Sequence, residues 1–242
     1  MDIAILLYEG LTALDAIGPY EVLSLLPGAK VQFVAAERGA KRTDNGFLAL
    51  TADYSFTDVT APDIVVVPGS STSTLAPMAD RETLDWLRGV HETTRWTTSV
   101  CSGALVLGAA GLLKGKKATT HWIALRLLGQ FGAEATTERI VEQDKIITAA
   151  GVSAGIDMAL YLASKIAGEE TAQAIQLSIE YDPQPPFDTG SLAKAPSNVR
   201  QAAERQLRQA ALNAKMIPAA MRVAKGRALE LVKDLIAPNQ NG

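Results

Sequence analysis

Cysteine occurs once in this chain, at Cys101, so no disulfide forms within it. Histidine occurs twice, at His91 and His121, and with one distant cysteine these give no metal-ligand spacing. Neither sign of charge dominates. Lys and Arg number 23 against 26 Asp and Glu, a net charge of −3, which gives nucleic-acid binding no electrostatic support. No apolar run is long enough to span a bilayer. The start Met1-Asp2-Ile3-Ala4-Ile5-Leu6-Leu7 lacks the basic residues and cleavage site of a signal peptide and reads as a first strand. Gly151-Val152-Ser153-Ala154-Gly155 lacks the three-glycine dinucleotide fingerprint and reads as a tight turn into a helix. Internal repeats and low-complexity tracts are absent. A lone free cysteine without a disulfide framework or export signal points to the cytoplasm and away from membranes.

What is present is apolar and alternating. With 242 residues, 48% of them hydrophobic, the chain builds one large-cored domain with room for an appendage. Ile3 to Tyr8, Lys30 to Ala36, Asp63 to Val67 and Trp96 to Val100 read as strands, several apolar enough to be covered on both faces. Tyr20 to Leu26, with Pro19 in its first turn, and Asp80 to Thr93, capped by Asp80, read as helices, as does a segment from about Trp122 to Phe131. Phe47 to Leu50 and Tyr54 to Phe56 suggest a short hairpin. Strands at Ile140-Val141 and Lys145 to Thr148 turn at Asp144, and helices follow to Ile166 and over Glu169 to Glu180. The expected fold is α/β, a doubly wound, mostly parallel sheet sandwiched by helices. Residues 192–242 form a helical extension, with helices over Val199 to Lys215 and Ala219 to Ile236. That extension carries no DNA-reading helix-turn-helix pattern.

The stretch Ser99-Val100-Cys101-Ser102-Gly103-Ala104 joins a strand to a small-residue helical run. Small residues two before and two after the cysteine match a nucleophile elbow with sulfur in the serine position. Cys101 at a helix N-terminus is expected to favour thiolate; the bland alternative is a buried cysteine acting as a small hydrophobe. Asp15, past the end of the first strand, is either an acid close to the thiol or a helix N-cap before Gly18-Pro19. The amides of Gly69, Ser70 and Ser102 are candidate oxyanion donors. Thr120, His121 and Trp122 are candidate pocket residues, although His121 also reads as a packed histidine beside Trp122. His91 reads as a solvated surface residue, and Lys116-Lys117 as a solvated pair.

The combination Leu14-Asp15-Ala16-Ile17-Gly18-Pro19, Val66-Val67-Pro68-Gly69, Ser99 to Ala104, Lys116-Lys117-Ala118-Thr119-Thr120-His121-Trp122 and Tyr181-Asp182-Pro183-Gln184-Pro185-Pro186-Phe187 resembles the ThiJ/PfpI superfamily, related in fold to class I glutamine amidotransferases. The resemblance covers roughly residues 2–191. It implies a flavodoxin-like catalytic domain over 1–191, a homodimer, and neither metal nor organic cofactor. The branch that matches implies addition of water to a small-molecule isonitrile to give an N-substituted formamide. Cys101 would be nucleophile, Asp15 acid/base, and Ser102 a further catalytic group through its hydroxyl. Where the family commonly has threonine and a second glycine, this chain has Ser102 and Ser70. The rivals are a glyoxalase or deglycase, whose branches often carry glutamate in the Asp15 role, and a ligand- or redox-sensing protein without turnover.

Overall fold

The computed structural model describes residues 1–71 and 73–213. The apolar run after Met1 forms β1 (Asp2–Leu6), followed by α1 (Ala13–Leu23) and β2 (Lys30–Ala35). Two short strands, β3 (Gly39–Arg42) and β4 (Ala49–Ala52), pair antiparallel as a separate ribbon, and β5 (Tyr54–Ser55) runs parallel to β2. Then come β6 (Ile64–Val67), α2 (Leu75–Ala79), α3 (Arg81–Thr93), β7 (Trp96–Val100) and α4 (Gly103–Ala109). A small parallel pair, β8 (Lys117–Ala118) and β9 (Glu134–Ala135), brackets α5 (Leu125–Leu128). The chain continues through β10 (Ile140–Gln143), β11 (Ile146–Ala149), α6 (Ala154–Ala167), α7 (Glu169–Ser178) and α8 (Ser197–Asn213).

The main sheet has seven strands in the order β10-β11-β7-β6-β1-β2-β5. All neighbours are parallel except β10 against β11, which turn at Asp144 with φ 55°. Alternation along β1 and into the residue after it sends Ala4 and Leu6 into one core and Ile3, Ile5 and Leu7 into the other. The first core is closed by α2 to α5, through residues such as Leu84, Leu87, Leu107 and Leu128. The second is closed by α1, α6 and α7, through Val22, Leu23, Met158, Leu162 and Ile175. Each fully buried leucine contributes roughly 2 kcal/mol of transfer free energy. This is the expected doubly wound α/β sandwich. After β2 and β5 the chain returns to the other side of β1, so the order reverses between β1 and β6. In such sheets the crevice at the carboxyl ends of the switch-point strands is where ligands bind.

Several local expectations are corrected. Helix α1 starts at Ala13, not at Pro19, so the proline lies inside it. Thr12 is its N-cap residue, and Asp15 is in the first helical turn, which removes the N-cap reading of Asp15. The hairpin expected between Phe47 to Leu50 and Tyr54 to Phe56 does not form: β4 pairs back to β3, and β5 joins the main sheet. The helix expected over Trp122 to Phe131 is α5 with a 3-10 turn at either end. His91 is half-buried rather than solvated. Its Nδ1 lies 2.8 Å from Thr97 Oγ1, and burial followed by the Lys145 ammonium lowers its pKa. Asp80 caps α3 as expected, accepting from the Thr83 amide at 3.0 Å. Helix α8 occupies the place of the first tail helix, whereas the second lies outside the described residues. No helix among the described residues is long and apolar enough to cross a membrane.

Candidate active site

Three loops meet at the switch point, following β1, β6 and β7. At the end of β7, Cys101 turns the chain with φ 57°, a left-handed conformation that costs a side-chain-bearing residue roughly 1–3 kcal/mol. The turn is held from both sides. The Cys101 amide donates to the Ala149 carbonyl at 3.1 Å, and the Thr120 hydroxyl donates to the Cys101 carbonyl at 2.8 Å. Glycine is required where the elbow meets the end of β6. A Cβ on Gly103 would sit 2.1 Å from the Val67 carbonyl oxygen, and one on Gly69 would sit 2.5 Å from the Ser102 nitrogen.

Asp15 is fully buried. Its Oδ2 accepts from the Gly69 amide at 2.9 Å, while Oδ1 has no hydrogen-bond partner among the described residues. Burial raises its pKa from the ordinary 3.8 to about 7; the Gly69 amide and the Cys101 thiol pull the other way, and the Asp44 charge adds a little. Cys101 is 5% exposed. Burial first, and the Asp15 carboxylate second, push its thiol well above the ordinary cysteine range, against the opposing pull of the Ser102 amide and hydroxyl. The expected thiolate is therefore corrected: the resting sulfur carries its proton. Desolvation outweighs a seven-residue helix terminus. At neutral pH the pair is a thiol beside a half-ionised acid.

Ser102 lies at the centre of a polar knot. Its hydroxyl accepts from the Ser70 amide at 2.9 Å, donates to the Ser70 carbonyl at 3.0 Å, and lies 2.6 Å from Thr74 Oγ1. Of the three amides expected as oxyanion donors, that of Gly69 holds Asp15 and that of Ser70 holds Ser102, while that of Ser102 faces the Cys101 sulfur. Thr120, expected as a pocket residue, is buried under the elbow as its support. His121 and Trp122 follow it directly, with ring centroids 5.5 Å apart. His121 packs near Gly151 and, desolvated, has its pKa lowered to about 4, so it is neutral at pH 7. Among the described residues no three His, Cys, Asp or Glu side chains group as a metal site.

Sequence reading missed Tyr8. Its hydroxyl donates to the Pro68 carbonyl at 3.0 Å, and burial, then Asp15 and Cys101, raise its pKa. The available signal was its place at the carboxyl end of the first apolar run. Thr74 was also missed, because nothing local ties it to Ser102, 28 residues away.

Comparison with known proteins bears on this arrangement. The DJ-1/PfpI family profile matches residues 1–165. The isonitrile hydratase of Pseudomonas putida is 44% identical over 200 residues, covering 82% of this chain and 86% of that protein. A ThiJ/PfpI family protein from Pseudomonas syringae superposes with a TM-score of 0.82 at 39% identity, covering 87% of this chain and 89% of its own. Drosophila melanogaster DJ-1beta shares the fold, with a TM-score of 0.67 at 21% identity over 75% of this chain and 98% of its own.

Proposed function

This chain belongs to the DJ-1/PfpI family, and from that premise we propose that it hydrates isonitriles to N-substituted formamides, with Cys101 as nucleophile and Asp15 as acid/base. The observation that carries the reading is the elbow cysteine facing a buried carboxyl whose pKa is about 7, in a chain 44% identical to an isonitrile hydratase. A proton carrier poised near the working pH serves both as acid and as base.

The steps follow from the two groups. Ionised Asp15 takes the thiol proton as the sulfur attacks the isonitrile carbon. The Ser102 amide faces the sulfur while it carries charge. Asp15 returns the proton to the same carbon, leaving a thioimidate, Cys101-S–CH=N–R. Asp15 next takes a proton from water, whose oxygen adds to that carbon, and passes the same proton to the nitrogen, so that the acid is ionised again. The carbon–sulfur bond then breaks, the hydroxyl proton restores the thiol, and R–NH–CHO leaves. Gly69 and Ser70 hold the acid and Ser102 in register, and His121 and Trp122 wall the substrate side. Ser102 acts through its amide, and its hydroxyl, which also pulls the thiol pKa down, braces the turn through Ser70 and Thr74.

We also take the protein to work as a cytoplasmic homodimer, with residues 192–242 packing on the domain or on the partner. Truncation after Ser191 then impairs solubility or dimerisation; an intact, active dimer refutes that role. Activity is tested by incubation with cyclohexyl isocyanide and detection of N-cyclohexylformamide by mass spectrometry. Formamide that disappears in Cys101→Ala and Asp15→Ala supports the mechanism. Turnover retained by Cys101→Ala overturns covalent catalysis. No formamide from the wild type overturns the activity.

A further inference from the structure

The β3–β4 ribbon stands outside the main sheet, yet its tip reaches the switch point. The Gly10 amide donates to the Arg42 carbonyl at 2.7 Å, Leu11 bridges to Thr43, and the Asp44 amide donates to the Leu11 carbonyl at 2.9 Å. One carboxylate oxygen at the tip, Asp44 Oδ2, accepts from Thr12 Oγ1 at 2.6 Å, Ser71 Oγ at 2.9 Å and the Ser71 amide at 3.4 Å. Thr12 is the N-cap residue of α1, where a threonine hydroxyl ordinarily accepts from the helix's own amides. Here it makes no capping bond and donates to Asp44 instead. The Thr12 amide in turn donates to the Gly69 carbonyl at 2.9 Å, and the Gly69 amide donates to Asp15. Asp44 therefore joins the first turn of the helix carrying Asp15 to the loop that grips Asp15.

We propose that Asp44 is a positioning residue for the Asp15 acid, pinning the start of α1 to the loop after β6 so that the carboxyl is held in front of Cys101. The proposal rests on the hydration reading above. Asp44 also adds a small charge effect on Asp15 to the larger effect of burial. The titratable groups facing Asp15 are Tyr8 after β1, Asp44 on the ribbon and Cys101 on the elbow. Glu9 is occupied by the Arg42 amide, and Asp157 on α6 by Arg139 and Tyr181. The Asp44 charge is the one that helps Asp15 keep its proton.

Three variants separate geometry from charge. Asp44→Ala removes both and is expected to lower kcat about tenfold with little change in KM, the cost of a slightly misplaced catalytic group. Asp44→Asn keeps an acceptor for Thr12 and Ser71. It should recover most of kcat while the acidic limb of the pH profile moves down by roughly half a unit. Thr12→Val removes one tie and no charge, and should lower kcat without moving the limb. Alkylation of Cys101 by iodoacetamide as a function of pH reads the same pair without any isonitrile. The rise in rate with pH should bend near pH 7, where Asp15 ionises and opposes loss of the thiol proton, and this inflection should move down in Asp44→Asn. If the wild type makes no formamide, the activity fails while the alkylation inflection still decides the role of Asp44. Wild-type kcat in Asp44→Ala, or an unmoved inflection in folded Asp44→Ala and Asp44→Asn, overturns the proposal.

Discussion

Replacing Asp15 by asparagine should abolish turnover and, at neutral pH and above, stabilise the fold. The reason is the cost of the buried charge. In the unfolded chain Asp15 ionises at its ordinary 3.8, whereas in the folded protein it holds its proton to about 7. Its folded pKa is raised, so the associated stability is complete below the unfolded value and is lost as pH rises through the folded one. Three units at about 1.4 kcal/mol each give a loss on the order of 4 kcal/mol between pH 4 and pH 8. Asparagine does not titrate, so the variant lacks this slope. It keeps an acceptor for the Gly69 amide but places an NH2 group near the position where Oδ1 has no partner among the described residues. That unpaired donor costs about 1–3 kcal/mol at every pH. The variant is therefore expected to be less stable than wild type near pH 4 and more stable by pH 8. Urea melts of both proteins at several pH values give the difference, in which carboxylates common to both cancel. A stability difference that stays flat from pH 4 to pH 8 refutes the claim that Asp15 is buried at the expense of its charge.

Three other outcomes follow from the same geometry. The kcat/KM profile should be bell-shaped. Its acidic limb falls near pH 7, where Asp15 ionises to accept the thiol proton, and its alkaline limb lies above the ordinary cysteine range; activity undiminished at pH 5 contradicts this. Iodoacetamide should alkylate Cys101 slowly at pH 7. Asp15→Asn should quicken it roughly tenfold at pH 8, because the neighbouring negative charge that holds the thiol proton is gone; an unchanged rate removes Asp15 from the neighbourhood of the sulfur. Gly69→Ala should destabilise by about 3 kcal/mol, the upper end of the usual overpacking cost, since the clash at 2.5 Å is with the Ser102 backbone, which cannot swing aside as a side chain can. A melting temperature within a degree of wild type refutes that packing.

Strands, their burial and the elbow were legible in the sequence because each is written in neighbouring residues. The run Ile64 to Val67 is buried on both faces and reads as such in four letters. Small residues flank Cys101 because the turn must pass β6, and Asp80 caps α3 through a bond three residues away. The start of α1 was misplaced because Pro19 suits a first turn so well locally, yet Thr12 and Asp15 are anchored by Gly69, 54 or more residues on. The pairing of β4 with β3 likewise depends on partners outside the local window. By itself the sequence determined that there is one cysteine, that it lies at a strand-to-helix turn, and that one acid sits near the same sheet edge. The tertiary structure alone decided their protonation. Burial withdraws water from both groups at once, and desolvation is a property of everything packed around a residue, not of the residues beside it in the chain. Ser102 and Asp44 acquire their roles in the same way, through oxygens and amides about thirty residues distant that meet only where the sheet reverses its order.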